Sequence, residues 1–83
     1  MEARCLRCRR IAPGLAEPPF GGALGALIHE RTCARCWKDW AGLIDKIMNE
    51  YRLSFANPQH VEAAFEQMRR FLQLPREALA GAT

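Results

Sequence analysis

With 83 residues the chain has room for one domain. A domain this short buries only about 60–65% of its unfolded surface, so a metal or disulfide staple is expected. Its composition, 49% apolar and 25% charged, is that of a folded body and excludes a wholly disordered chain. No apolar run approaches the ~18–20 residues of a membrane helix, and the net charge of +3 is too small to suggest a nucleic-acid binder.

The charge is unevenly placed. Residues 1–38 carry seven basic side chains against Glu2, Glu17 and Glu30, whereas residues 39–83 carry five against six. The N-terminus lacks the apolar stretch of a signal peptide, so the expected compartment is the cytoplasm.

In chain order, residues 1–12 read as a short extended hairpin or knuckle that ends at the turn signal Pro13-Gly14. Pro18-Pro19 makes the next segment a stiff loop. A first helix is expected over about 22–30, with Leu24, Leu27 and Ile28 at i, i+3, i+4. Gly25 inside it suggests a close backbone neighbour. Thr32 reads as the N-cap of a second helix over about 33–52. The apolar face of that helix is Trp37, Trp40, Ala41, Ile44, Ile47, Met48 and Tyr51. Asn57-Pro58 starts a third helix over about 58–73, Asn as cap and Pro at the first helical position. Its stripe is Val61, Ala64, Phe65, Met68, Phe71 and Leu72. Glu66 and Arg70 form an i,i+4 pair outside, and Pro75 closes the helix.

The expected fold is therefore α+β, mostly α: a short N-terminal β-hairpin or zinc knuckle followed by three helices. Residues 1–75 form one metal-stapled domain and 76–83 a C-terminal tail.

All four cysteines fall in two C-x-x-C pairs, Cys5/Cys8 and Cys33/Cys36. Two residues between cysteines let both thiolates of a knuckle reach one ion, and two knuckles complete a tetrahedron. The second pair falls at a helix start, where unpaired N–H groups and the helix dipole favour thiolates. Three chemistries fit these sulfurs: structural Zn(II), rubredoxin-like iron in the same cage, and thiol–disulfide exchange. The Zn(II) reading leads, because disulfides rarely persist in the cytoplasm and a thioredoxin-like site needs a βαβ context this chain lacks. Zn(II) with four thiolates carries a formal −2. Arg7, Arg9, Arg10 and Arg35, next to the ligands, would offset it or simply be solvated surface.

From Cys5 to about Leu72 the chain also resembles the bacterial Fe(II)-trafficking, or oxidative-damage-protection, family. The resemblance rests on Cys5, Gly14, "GGALGALIHE" after a proline-rich loop, "CWKDW", "MNEYRL", "NPQH" and "QMRRFL", in family order. It implies a small cytosolic protein with a hairpin and three helices, serving iron supply and the protection of iron–sulfur proteins from oxidants. It marks Cys5 as the family's usual single cysteine and Asn49-Glu50 as its Asn-Glu pair. Cysteines at positions 8, 33 and 36 depart from the family pattern and turn a lone thiol into one of four ligands.

Other residues read more plainly. Trp37 and Trp40 are expected in the core, over the cysteines. His29 and His60 are expected in solvent; His29-Glu30 is the alternative seat of a weak Fe(II) site. Asn49 and Glu50 read as surface. No triad, phosphate loop or convergent acid pair is present, so an enzyme is not expected. The cofactor expected in the cage of Cys5, Cys8, Cys33 and Cys36 is one Zn(II), with Fe as its competitor. The expected partners are iron–sulfur client proteins or a larger complex, with no membrane insertion. The competing function is a zinc-stabilised interaction module.

Overall fold

The computed structural model describes residues 2–77. Five elements follow in chain order: β1 (Glu2–Arg4), β2 (Ile11–Pro13), α1 (Gly22–Arg31), α2 (Ala34–Glu50) and α3 (Pro58–Phe71). The fold is α+β and mostly α, as the sequence suggests. The part of the expected tail beyond Glu77, and Met1, lie outside the described residues.

β1 and β2 pair antiparallel, with Glu2 opposite Pro13, Ala3 opposite Ala12 and Arg4 opposite Ile11. A two-stranded hairpin is marginal alone. This one is held because β1 packs on α1 and buries Ala3 there. The Leu6 N–H then donates to the Arg31 carbonyl at 2.9 Å, tying the first knuckle to the end of α1.

α1 lies close under the Pro-Pro loop. A Cβ added at Gly25 would overlap the Phe20 carbonyl oxygen and come 2.7 Å from its carbonyl carbon. Only glycine permits that approach. The loop thereby holds Phe20, which meets Phe65 of α3 edge-to-face at 5.9 Å.

Thr32 does not cap α2. It is the C-cap of α1, fully buried, and its hydroxyl oxygen has no hydrogen-bond partner among the described residues. The N-cap of α2 is Cys33, whose side chain makes no capping hydrogen bond. Thr32 loses the role because the hairpin pulls the chain straight there: Gly14 bridges to Cys33 as a short antiparallel pair.

α3 begins as expected, with the Asn57 side-chain oxygen accepting the Gln59 N–H at 2.9 Å and Pro58 at the first position. Both later helices stop about two residues early, and for one reason. Arg52 and Gln73 adopt left-handed φ of 51° and 60°. The Leu53 N–H reaches back to Met48 at 3.0 Å and the Leu74 N–H to Arg69 at 2.9 Å. These are Schellman terminations built without glycine, so α3 ends before Pro75 is reached.

One cluster forms the core: Leu24 and Ile28 from α1, Trp40 from α2, Met68 from α3, then Leu72 and Leu74, together with Cys5, Cys33 and Cys36. The α2 stripe is less covered than its pattern implies. Trp40 is buried, Trp37, Ile44, Ile47 and Met48 are half-buried, and Ala41 and Tyr51 are exposed. A 17-residue helix outruns the 14-residue α3 beside it and the short loop after it.

Candidate metal centre

The first knuckle is made by the hairpin turn. The Cys5 N–H donates to the Arg10 carbonyl at 3.0 Å, and the Arg9 N–H to the Cys5 carbonyl at 2.9 Å. Arg9 closes the turn with a left-handed φ of 61°. The second knuckle is the start of α2, with Cys33 as its cap and Cys36 in its first turn. The Gly14–Cys33 bridge lays one knuckle against the other.

The four sulfurs of Cys5, Cys8, Cys33 and Cys36 all lie within 4.8 Å of one another. None is in a disulfide. An ion with four sulfurs at about 2.3 Å needs them about 3.8 Å apart. The Cys8 and Cys33 sulfurs are 3.9 Å apart, so the donor set fits a tetrahedral cation with small adjustments. Cys5, Cys33 and Cys36 are buried at 2–3% exposure, while Cys8 is exposed. Among the described residues this is the one such gathering of His, Cys, Asp or Glu donors.

Without a cation the sulfurs share their protons unequally. Burial opposes a Cys5 thiolate, but the amides of Cys8, Cys33 and Arg7, with the Cys36 thiol, point at it and lower it from 9.0 to about 6. At Cys8 the Arg10 amide favours the thiolate, yet partial desolvation and the neighbouring Cys5 and Cys33 leave it raised. Burial pushes Cys36 up; Arg7 works against that, Cys33 and Cys5 add to it, and the result is about 12. One thiolate thus receives hydrogen bonds from its neighbours, an order that a bound divalent cation would override.

Of the four arginines beside the ligands, Arg7 is the one whose side chain touches a sulfur among the described residues. One terminal nitrogen of its guanidinium lies 3.4 Å from the Cys36 Sγ and 3.1 Å from Asp39. The guanidinium carbon also sits 4.2 Å above the Phe71 ring, and Phe71 packs against Trp40 at 5.7 Å. Arg7 therefore joins the centre to α2 and α3 at once. The Cys36 sulfur, with Asp39 adding to it, raises its affinity for its proton against the opposing effect of burial, so it stays charged. Arg10 and Arg35 line an open basin beside the sulfurs, and Arg9 is exposed. Sequence spacing alone could not single out Arg7, since Arg9 and Arg35 also directly adjoin a cysteine and Arg10 is only one residue further.

Trp40 packs in the same cluster as the sulfurs, as expected. Trp37 is half-buried and lines an apolar groove with Phe55 and Phe65. His29 is not a solvent histidine: its Nε2 is buried and has no hydrogen-bond partner among the described residues. It also belongs to no cluster of metal donors among the described residues. The His60 Nδ1 accepts the Ser54 N–H at 3.0 Å, a local loop contact. Asn49 and Glu50 are exposed.

Fold and centre together define a class: small α+β proteins in which a hairpin turn and a helix start gather four thiols closely enough that they could hold one borderline or soft cation. A sequence profile for bacterial Fe(2+) trafficking matches residues 2–80. The chain is 35% identical to a probable Fe(2+)-trafficking protein of Koribacter versatilis over 82% of its own length and 76% of the relative's. It is 38% identical to one of Anaeromyxobacter sp. over 83% and 78%, and 36% identical to one of Acidobacterium capsulatum over 88% and 86%. The chain belongs to the bacterial Fe(2+)-trafficking family.

Proposed function

We propose that this chain is a metal-handling protein of the bacterial cytoplasm, without catalytic activity, whose cage of Cys5, Cys8, Cys33 and Cys36 holds one divalent ion. The observation that carries the reading is the approach of four free sulfurs to within 4.8 Å of one another. Zn(II) is the leading occupant and iron its competitor, because a tetrahedron of thiolates suits both. The family membership supports a role in iron supply, with iron–sulfur proteins as the clients protected from oxidants. Cysteine ligation would contribute folding free energy directly, since three of the four sulfurs belong to the core cluster.

Elemental analysis of protein purified without chelator, with a visible spectrum, tests the occupant. Zinc gives one ion per chain and no colour; ferric iron in four sulfurs gives a red protein. Protein that carries no stoichiometric metal, and takes up none from Zn(II) or anaerobic Fe(II), would refute the reading.

A second reading, a zinc-stabilised interaction module, is favoured by the uncovered apolar surface of Tyr51 and Phe55, 70% and 68% exposed. Affinity capture with wild type and Phe55→Ser separates the two. A stoichiometric partner lost on substitution supports the module, and recovery of none opposes it.

A further inference from the structure

Three of the four cage cysteines, Cys8, Cys33 and Cys36, form one wall of an open basin of about 670 Å³, a size within the ~300–1,000 Å³ of small-molecule sites. Arg7, Arg10 and Arg35 line it, with Asp39 as its one carboxylate. Three guanidiniums against one carboxylate leave a surplus of two positive charges. Asp39 is already engaged by Arg7 at 3.1 Å. Arg10 and Arg35 have no ion pair among the described residues.

Two further features point the same way. The first turn of α2 faces the basin with no acidic residue, and its cap makes no side-chain hydrogen bond. The positive end of that helix is therefore not offset by a carboxylate. Of the three cage cysteines that line the basin, Cys8, Cys33 and Cys36, Cys8 is the exposed one and so the first that an incoming ion meets there.

We propose that this basin is a docking site for a small polycarboxylate, the chemistry of an anionic chelate of a divalent ion. Arg10 and Arg35 hold the carboxylates, and the carried ion is presented to Cys8. Guanidiniums suit this ligand because each can pair a carboxylate through two N–H groups. The inference rests on the reading of the cage as a metal site and adds the route of entry. The exchange is redox-neutral: carboxylate oxygens leave the ion as sulfurs join it, and thiol protons pass to the freed carboxylates or to buffer. An ion held by four thiolates gives the filled cage a formal −2. That cancels the positive surplus, so the emptied carrier is no longer attracted and leaves.

The test uses citrate as the probe and the full chain. Calorimetric titration of the ion-free protein with citrate at low ionic strength should show saturable binding, weakened about tenfold or more in Arg10→Gln/Arg35→Gln. Cobalt(II) loading from citrate should outpace loading from a neutral chelator of matched cobalt affinity. The advantage should vanish in the double variant and shrink at high salt. Cobalt bound at saturation should stay at the wild-type level, since neither arginine's side chain touches a sulfur and the substitution keeps the Arg10 amide that faces Cys8. Citrate binding equal in wild type and variant, or no stronger than that of sulfate, would overturn the proposal. So would loading rates indifferent to chelator charge. Cobalt that fails to bind wild type at all would instead sink the cage reading, while the citrate titration would remain readable.

Discussion

Replacing Arg7 with methionine removes the guanidinium and keeps an apolar stem over Phe71. Three interactions are lost. The pair with Asp39 contributes about 0.2–1 kcal/mol, toward the low end because the two side chains are 33% and 48% exposed. Arginine over the Phe71 ring at 4.2 Å adds about 0.5–1 kcal/mol, or up to ~2 where desolvated. The sum is about 1–2 kcal/mol, which for a domain of this size lowers Tm by about 5–15 °C. The third loss bears on the ion. A positive charge 3.4 Å from the Cys36 sulfur is worth ~1 kcal/mol in water and ~5 kcal/mol at an effective dielectric of 20. Partial exposure places it toward the lower figure, so zinc affinity should fall about tenfold or somewhat more. Thermal unfolding and chelator competition read the two effects separately. Arg7→Lys keeps the charge and should recover most of the affinity. An Arg7→Met protein that matches wild type in both assays would refute the claim that Arg7 couples the centre to the helices.

The Gly25 contact predicts opposite signs at two helical glycines. Gly25→Ala gains ~1 kcal/mol of helix propensity but must push back the Phe20 backbone, a net loss of about 2 kcal/mol or more. Gly42→Ala, with nothing within 4 Å, should gain about 0.5–1 kcal/mol; denaturant midpoints that move the same way would contradict this. Arg69, with Arg70 beside it, holds Glu66 at about 2 against the ordinary 4.5. Its contribution is therefore full above pH 4.5 and disappears as pH falls through 2. Glu66→Gln should differ from wild type at pH 6 and converge with it on acidification, and a constant difference would oppose the assignment. Ion binding at pH 7 should release at least two protons, from Cys8 and Cys36, both held as thiols in the ion-free protein. Affinity should accordingly weaken steeply as pH falls, and buffer-dependent calorimetry showing no proton release would exclude the thiols as ligands.

Much of the fold and centre can be read from local chemistry. Asn57-Pro58 marks a helix start wherever it lands, the two C-x-x-C pairs announce a shared site, and a glycine amid Leu24, Leu27 and Ile28 signals a close neighbour. The errors sit where tertiary geometry decides. Helix ends overran to Arg52 and Gln73 because these left-handed terminations use residues that carry no stop signal. Thr32 has the chemistry of a cap, but the Gly14–Cys33 bridge fixes the backbone so that the next residue takes the position. Tyr51 continues the apolar stripe of α2 but lies beyond what α3 covers. Glu66 was legible as the partner of Arg70, yet its closer pairing is with Arg69 at 2.6 Å, against 3.0 Å for Arg70. The pairing of Arg7 with Asp39 and Phe71 spans separations that no sequence window contains.

X-ray absorption at the edge of the bound metal addresses the centre itself. Protein purified without chelator should show four sulfur neighbours at about 2.3 Å, reduced to three when Cys8 is replaced by serine. A first shell dominated by oxygen and nitrogen, or one unchanged in Cys8→Ser, would contradict the four-cysteine cage.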